Sequence, residues 1–399
     1  MDSKDLEEEY KAIHQVLSAF HNYTKHTQYT LIEPKRKRYE ALTARDKDLL
    51  SWFPGYITQI EAAVDSNQQF FNAMVNHVST NWGIELEKIG FIETSASDYE
   101  KVKKCLKQCY REWSLEAQNE RDISFHRTLD HLVFKYPDIR TRPNCKILIP
   151  GCGLGRQNFE LIREGFQVQG NEFDYFMILI SSFLVNDRLS KAAYQIHPFI
   201  HDGSHQRSRV SQFRPINIPD IDQIQQLSTL QRTFGNDADV MDLMSITTGS
   251  FIDLYGPNDK QIVESSYFTK SSGQFRDENK GKFDFVISSF FIDTACNYLE
   301  YLDTFSHCLK DNGEWINFGP LQWHFENSME NLDIRDGFGI PSTVPLSGLE
   351  LSREDVLELT RNLFTFEALE TGIKSPFASD DSCSSKFLYD CDFWIAKKK

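Results

Sequence analysis

Three glycines at alternate positions, Gly151, Gly153 and Gly155, follow a short apolar run, Lys146-Ile147-Leu148-Ile149-Pro150. A helical pattern comes next, and a second apolar run ends in Gly170-Asn171-Glu172. Strand, glycine turn, helix, strand, acid is the order in which an open α/β sheet builds a pocket for a nucleoside. Glycine lets the backbone turn tightly and approach a ligand with no Cβ in the way. An acid about twenty residues on can accept hydrogen bonds from both ribose hydroxyls. The first question is therefore which nucleoside-like molecule such a turn would hold.

A dinucleotide fingerprint reads G-x-G-x-x-G, whereas the spacing here is G-x-G-x-G. A phosphate loop needs Lys-Ser/Thr after its last glycine, and Arg156-Gln157 stands there instead. A G-x-G-x-G turn with a later acid is the common signature of S-adenosylmethionine-dependent methyltransferases. An NAD pocket and a purely structural glycine turn remain as alternatives on the motif alone.

The rest of the chain supports an α/β sheet. Residues 1 to about 140 read as helical, with Leu6, Tyr10, Ile13, Val16, Leu17 and Phe20 at three- and four-residue spacing. Ile57, Ile60, Ala63, Phe70, Phe71, Met74 and Val75 repeat that pattern, and Val102–Ser114 is amphipathic. From 146 onward strand and helix alternate, interrupted by a polar stretch at about 188–240 with three prolines. A loop that long is expected to be functional or a lid. A second insertion, 256–282, is rich in Gly, Ser, Asn and Lys and reads as a mobile surface segment. Strands follow at about 241–246, 283–291 and 314–318, a helix at about 295–310 closes at Asp311-Asn312-Gly313, and two late strands fall at 364–371 and 387–396. Ser352 and Asp355 resemble a capping pair. The expected architecture is a Rossmann-like, seven-stranded methyltransferase sheet over 141–399 with an antiparallel C-terminal edge, preceded by an N-terminal helical region that covers the cofactor.

Composition excludes several classes. The 399 residues suggest two folded units or one enlarged domain, and 40% hydrophobic residues with 31 Phe fill a sizeable core. A net charge of −15 repels nucleic acid and anionic membrane. No apolar run approaches the roughly 18 residues that span a bilayer. The charged N-terminus lacks the apolar stretch of a signal peptide. Eight scattered cysteines fit neither a zinc site nor a disulfide scaffold and read as free thiols in a reducing cytosol. Pro34-Lys35-Arg36-Lys37-Arg38 reads as a solvated basic patch or a nuclear address. A homodimer is compatible with all of this.

Four stretches carry a closer resemblance: Ile149–Arg156, Gln169–Glu172, Phe290–Ala295 and Trp315–Asn327. Together they are similar to the carnosine N-methyltransferase family, from about residue 100 to the C-terminus and more loosely before it. The resemblance implies methyl transfer from S-adenosylmethionine to an imidazole nitrogen of carnosine (β-alanyl-histidine), giving anserine. It implies that Gln108, Arg111, Gly151 and Glu172 bind the cofactor, with Ser289 at the end of a strand beside it and Phe251 near the adenine. Ser250 stands where the family has an Asp, which removes an expected hydrogen bond to the adenine amino group. Asp293, His324 and Tyr389 match substrate-binding positions, and Phe387 replaces a family Tyr. Asp293 would accept the imidazole N–H and orient the ring, and His324 would bind substrate or assist proton removal. A related enzyme acting on histidine in a larger peptide or protein, and a non-catalytic cofactor-binding module, are the competing readings.

Each of these residues also has an ordinary structural reading. Asp293 follows an apolar strand and suits a helix N-cap. His324 sits among aromatics, Tyr389 suits strand packing, and Gln108 and Arg111 share one helix face that solvent could cover. Cys152 is read as a small residue with no nucleophilic role. His197, His201 and His205 have a spacing that could ligate metal, but Pro198 and Gly203 interrupt any helix and methyl transfer needs none. No metal is expected.

Overall fold

The computed structural model describes residues 3–89, 92–235, 237–258, 270–335, 341–380 and 382–399. Part of the second insertion, 259–269, therefore lies outside the described residues. Eleven strands are described: β1 (Lys146–Pro150), β2 (Gln167–Glu172), β3 (Tyr194–Ile196), β4 (Ile216–Ile218), β5 (Met244–Thr248), β6 (Phe283–Ser289), β7 (Leu309–Gly319), β8 (Asn331–Arg335), β9 (Pro341–Pro345), β10 (Phe364–Ser375) and β11 (Tyr389–Lys398).

Seven of them form one sheet in the order β10-β11-β7-β6-β1-β2-β5. The strands from β5 to β7 run parallel, and β11 runs antiparallel to both its neighbours. The chain moves outward one way from β1 through β2 to β5, then returns to β6 on the other side of β1. That reversal is the switch point where open α/β sheets hold ligands, outside the carboxyl ends of the strands. Side chains alternate between two apolar cores, as the period-2 geometry of strands requires. Ile147, Ile149, Ile287, Ile316, Phe318 and Phe393 enter one core, and Leu148, Val286, Trp315 and Trp394 enter the other. Burial on both faces explains why β1 and β6 read as continuous apolar runs.

The N-terminal region is helical, dominated by helices Ser3–His21, Phe53–Trp82, Ala96–Trp113 and Gln118–Lys135. Helix Ala96–Trp113 starts with a capping box of Ser95 and Asp98, and Phe53–Trp82 ends at Gly83 in the left-handed region. The first three share an apolar core with the sheet-flanking helix Tyr175–Asn186, while Gln118–Lys135 packs Leu132 into the core of one sheet face.

The 188–240 segment differs from a loose lid. It forms the β3–β4 ribbon and helices Arg209–Gln212 and Gln223–Phe234. Ile196, Phe199, Ile200, Ile216 and Ile218 are all buried in the N-terminal core. Asn67, fully buried on the Phe53–Trp82 helix, exchanges hydrogen bonds with the His197 backbone at 2.7 and 3.1 Å. The few apolar residues are hidden in a polar stretch, so composition alone did not reveal this docking. Asp311-Asn312-Gly313 also differs from expectation: it lies inside β7, with Asn312 at φ 62°, after a helix that ends at Cys308. The 241–246 strand begins three residues later, because a 3-10 turn occupies Val240–Leu243. Ser352 and Asp355 form the capping box expected of them.

Candidate active site

The glycine turn joins β1 to helix Arg156–Arg163. Gly151, Gly153 and Gly155 have φ of 62°, 55° and 78°. A Cβ at Gly151 would lie 2.4 Å from the Phe291 ring, and one at Gly153 would lie 2.8 Å from Glu112 Oε1. Both backbones favour glycine, and at Gly151 the Phe291 ring adds a steric reason, while at Gly153 a side chain would displace the Glu112 carboxylate.

Two carboxylates grip this turn. Glu172, at the end of β2, accepts hydrogen bonds from Gly153 N (2.9 Å), Phe173 N (2.8 Å) and Asp174 N (3.0 Å). Burial pushes its carboxyl above the usual range, and those three N–H groups oppose the shift. A carboxylate has about four lone-pair sites, so Glu172 keeps capacity for a hydroxyl. Glu112, near the end of helix Ala96–Trp113, accepts from Leu154 N and Arg156 N, each at 3.2 Å. Burial raises its carboxyl too, while the Arg111 charge and the two N–H bonds hold it down. Cys152 is buried and its thiol is driven far up by burial, so it is no nucleophile.

Gln108 and Arg111 lie on the same helix as Glu112. Gln108 Oε1 is buried and has no hydrogen-bond partner among the described residues. Arg111 donates from Nε to Glu120 at 2.9 Å, and its guanidinium lies 4.4 Å from the Phe377 ring centre and 5.1 Å from that of Phe290. Glu120 also accepts from Ala378 N. The terminal nitrogens of Arg111 make no hydrogen bond to a described residue, which leaves a rigid fork for a carboxylate. A part-occupied acid at the end of β2, an orphaned amide oxygen and an open guanidinium fit S-adenosylmethionine, which offers ribose hydroxyls, an ammonium and a carboxylate.

The other half of the site lies past β6. Ser289 ends that strand opposite Phe318. Phe290 then takes φ 52°, a left-handed conformation that costs a bulky residue about 1–3 kcal/mol, with its N–H bonded to Phe318 O at 2.8 Å. This kink turns Phe291 onto the glycine turn and carries Asp293 inward. Phe251 is buried against Phe291, Tyr301 and Phe305. Ser250 uses its hydroxyl to cap its own helix, accepting from Asp253 N at 3.4 Å.

Asp293 is buried, but it is not the N-cap of the following helix; Asn297 fills that place. Its Oδ2 accepts from Gln322 N at 2.9 Å, and its carbonyl accepts from His324 N at 3.0 Å. Oδ1 receives no hydrogen bond from any other described residue, and the Asp293 N–H also faces the carboxyl. Burial raises the Asp293 carboxyl, and the Gln322 N–H and the nearby His324 work the other way. Tyr389, the first residue of β11, donates its hydroxyl to Gln322 Oε1 at 2.6 Å. Burial raises the Tyr389 hydroxyl, and the Asp293 charge adds to that. Gln322 thus joins Asp293 to Tyr389. The His324 side chain is exposed, and exposed Phe387 sets its ring 4.7 Å from that of Tyr389.

Glu112, Glu120 and Gln322 went unread in the sequence. Glu112 stands one residue beyond Arg111 in an amphipathic helix, where an acid normally signals a solvated face. The three histidines separate: His197 Nδ1 pairs with Phe213 O, His201 Nε2 with Tyr23 OH, and His205 lies in a turn at φ 60°. Among the described residues no three His, Cys, Asp or Glu are grouped to hold a metal, and no helix is long and apolar enough to cross a membrane.

Residues 90–399 match the family model described as carnosine N-methyltransferase. A carnosine N-methyltransferase from Schizosaccharomyces pombe is 30% identical over 398 residues, covering 98% of this chain and 96% of the relative. The enzyme of that name from Rattus norvegicus is 29% identical, covering all of this chain and 88% of its own. One from Dictyostelium discoideum is 28% identical over 95% of this chain and 75% of its own. With the sheet order, the glycine turn and this full-length similarity together, the chain belongs to the carnosine N-methyltransferase family.

Proposed function

We propose that this protein transfers a methyl group from S-adenosylmethionine to an imidazole nitrogen of carnosine, producing anserine. The observation that carries the reading is Asp293: a buried carboxylate with one oxygen fixed by Gln322 N–H and the other open, two residues from the ring that abuts the glycine turn. When bound, S-adenosylmethionine supplies a methyl already activated on sulfonium, so the protein's task is placement. Glu172 takes a ribose hydroxyl, Gln108 and Arg111 take the amino-acid end, and the glycine turn admits the backbone approach.

An imidazole with pKa about 6.5 is mostly neutral at pH 7. Asp293 Oδ1 accepts the ring N–H and thereby selects the tautomer whose other nitrogen carries a free lone pair. Its negative charge offsets the positive charge that grows on the ring as the new nitrogen–carbon bond forms. The ring proton then leaves through Asp293, whose raised pKa suits it to take that proton. Tyr389 and Gln322 hold Asp293 in place, and His324 stands at the open side for the dipeptide's polar groups. Positioning of this kind can supply about 7–11 kcal/mol.

Eight free cysteines, six of them buried, support a reducing compartment such as the cytosol. The basic segment 34–38 lies on an exposed helix, Glu33–Glu40, which supports access by a nuclear import receptor. The decisive experiment is incubation with labelled methyl donor and carnosine, with mass-spectrometric location of the methyl. Methylated carnosine is expected. Product from another imidazole peptide but none from carnosine would discard the substrate and keep the reaction class.

A further inference from the structure

The N–H groups of the glycine turn can be followed one by one. Cys152 N donates to Asn171 O and Gly155 N to Cys152 O, each at 3.0 Å. Gly153 N donates to Glu172, and Leu154 N and Arg156 N donate to Glu112. All five consecutive donors from 152 to 156 are therefore taken inside the protein. In nucleotide sites of this topology, the same donors at the start of the helix hold a phosphate. Here that position already contains an anion, the Glu112 carboxylate.

Glu112 is held there by a buried frame. Arg156 Nη1 donates to Glu112 O at 3.0 Å and to Asp220 Oδ1 at 2.5 Å. Arg121 donates to the carbonyls of Arg111 (2.9 Å) and Ser114 (2.6 Å) and to Asp220 Oδ2 (2.7 Å). Asp220 N in turn donates to Trp113 O, and Trp113 Nε1 donates to Leu154 O. The insertion that supplies Asp220 thus fixes the end of the helix that supplies Glu112. Asp220, Arg121 and Arg156 are each less than a tenth exposed.

We infer that Glu112 is a specificity-determining residue: it fills the phosphate seat of the glycine turn with the protein's own carboxylate, so the site accepts a nucleoside bearing a neutral or cationic 5′ group and rejects one bearing a phosphate. The inference rests on the proposed methyl-donor site and adds the exclusion to it. Two carboxylates around Gly153 repel a phosphate, and none of the five backbone N–H groups from 152 to 156 is free to compensate. A cationic sulfonium at the same carbon meets the opposite field. The ligand class is thereby set by charge rather than by the spacing of the glycines.

Isothermal calorimetry on the full chain tests this with S-adenosylhomocysteine, adenosine, AMP and ADP. In the unaltered protein, adenosine is expected to bind at least about tenfold more tightly than AMP, with ADP weaker still, since a like charge within a few ångströms costs at least that much at low effective solvent screening. In Glu112→Gln the gap between adenosine and AMP is expected to shrink by about tenfold, as a neutral side chain of the same shape replaces the anion. A merely structural role for Glu112 would weaken all four ligands together. ADP binding the unaltered protein as tightly as adenosine overturns the inference while leaving S-adenosylhomocysteine binding, and so the proposed reaction, intact. An unchanged gap in a folded Glu112→Gln also overturns it. If that variant fails to fold, the ligand order in the unaltered protein decides alone. Absence of binding by both S-adenosylhomocysteine and adenosine removes the methyl-donor reading and this one with it.

Discussion

The two halves of the site are built in opposite ways. On the donor side, five consecutive backbone N–H groups are all bonded, and two carboxylates, the buried Glu112 and the half-buried Glu172, grip one glycine turn from either side. On the acceptor side, Asp293 has one oxygen bonded, Tyr389 reaches it only through Gln322, and His324 is exposed. In the first half the turn is preorganised before any ligand arrives, and the open polar atoms lie beyond it, on Gln108 and Arg111. The second keeps polar atoms open and is completed by the molecule it methylates. A site that must hold one invariant donor and orient one small acceptor benefits from this division, because open polar atoms add specificity only where the substrate can satisfy them.

Changes on the donor side should appear chiefly as lost stability, and changes on the acceptor side as lost turnover. The largest effect is expected from Asp220→Ala. It leaves the Arg121 and Arg156 guanidiniums buried without their shared carboxylate, and breaking a buried pair costs about 3–5 kcal/mol. Denaturant unfolding should show that loss; a change below about 1 kcal/mol, the range of an exposed pair, would mean the frame is not what holds the turn. Asp293→Asn comes next. Turnover should fall by about a hundredfold or more, with S-adenosylhomocysteine affinity within about threefold, because the lost group acts on the reacting ring. Equal losses in both measurements would erase the distinction between the halves.

The pH profile sharpens the same point. Asp293 must be ionised to accept the ring proton, and burial raises its carboxyl above the ordinary value of about 3.9. Turnover is therefore lost as pH falls through that raised value. The acid limb of kcat in the unaltered protein should combine the raised Asp293 carboxyl with protonation of the substrate imidazole, and in whatever activity Asp293→Asn retains only the imidazole part should remain. The smallest effect is expected from Tyr389→Phe, which removes one hydrogen bond to Gln322, worth about 1 kcal/mol or roughly fivefold in kcat/KM. A loss of a hundredfold there would move Tyr389 from support to a direct part in the reaction.

The sequence by itself determined the donor turn and the caps of its helices at short range. Alternating glycines, the acid at 172 and the capping pair at Ser352 and Asp355 are local patterns, because left-handed φ, strand period and helix capping depend on neighbours a few residues away. The long apolar runs likewise revealed parallel strands buried on both faces. The resemblance carried Asp293, His324 and Tyr389, which spacing alone would have left as a cap, a structural histidine and a packing aromatic. Only the tertiary structure decided that Glu112 sits at the head of a helix that begins at residue 156, that Asp220 from a polar insertion holds it there, and that Gln322 links Asp293 to Tyr389. The physical reason is one of range. A backbone turn is specified by the residues in it, whereas a buried carboxylate takes its meaning from donors that the fold brings in from tens of residues away.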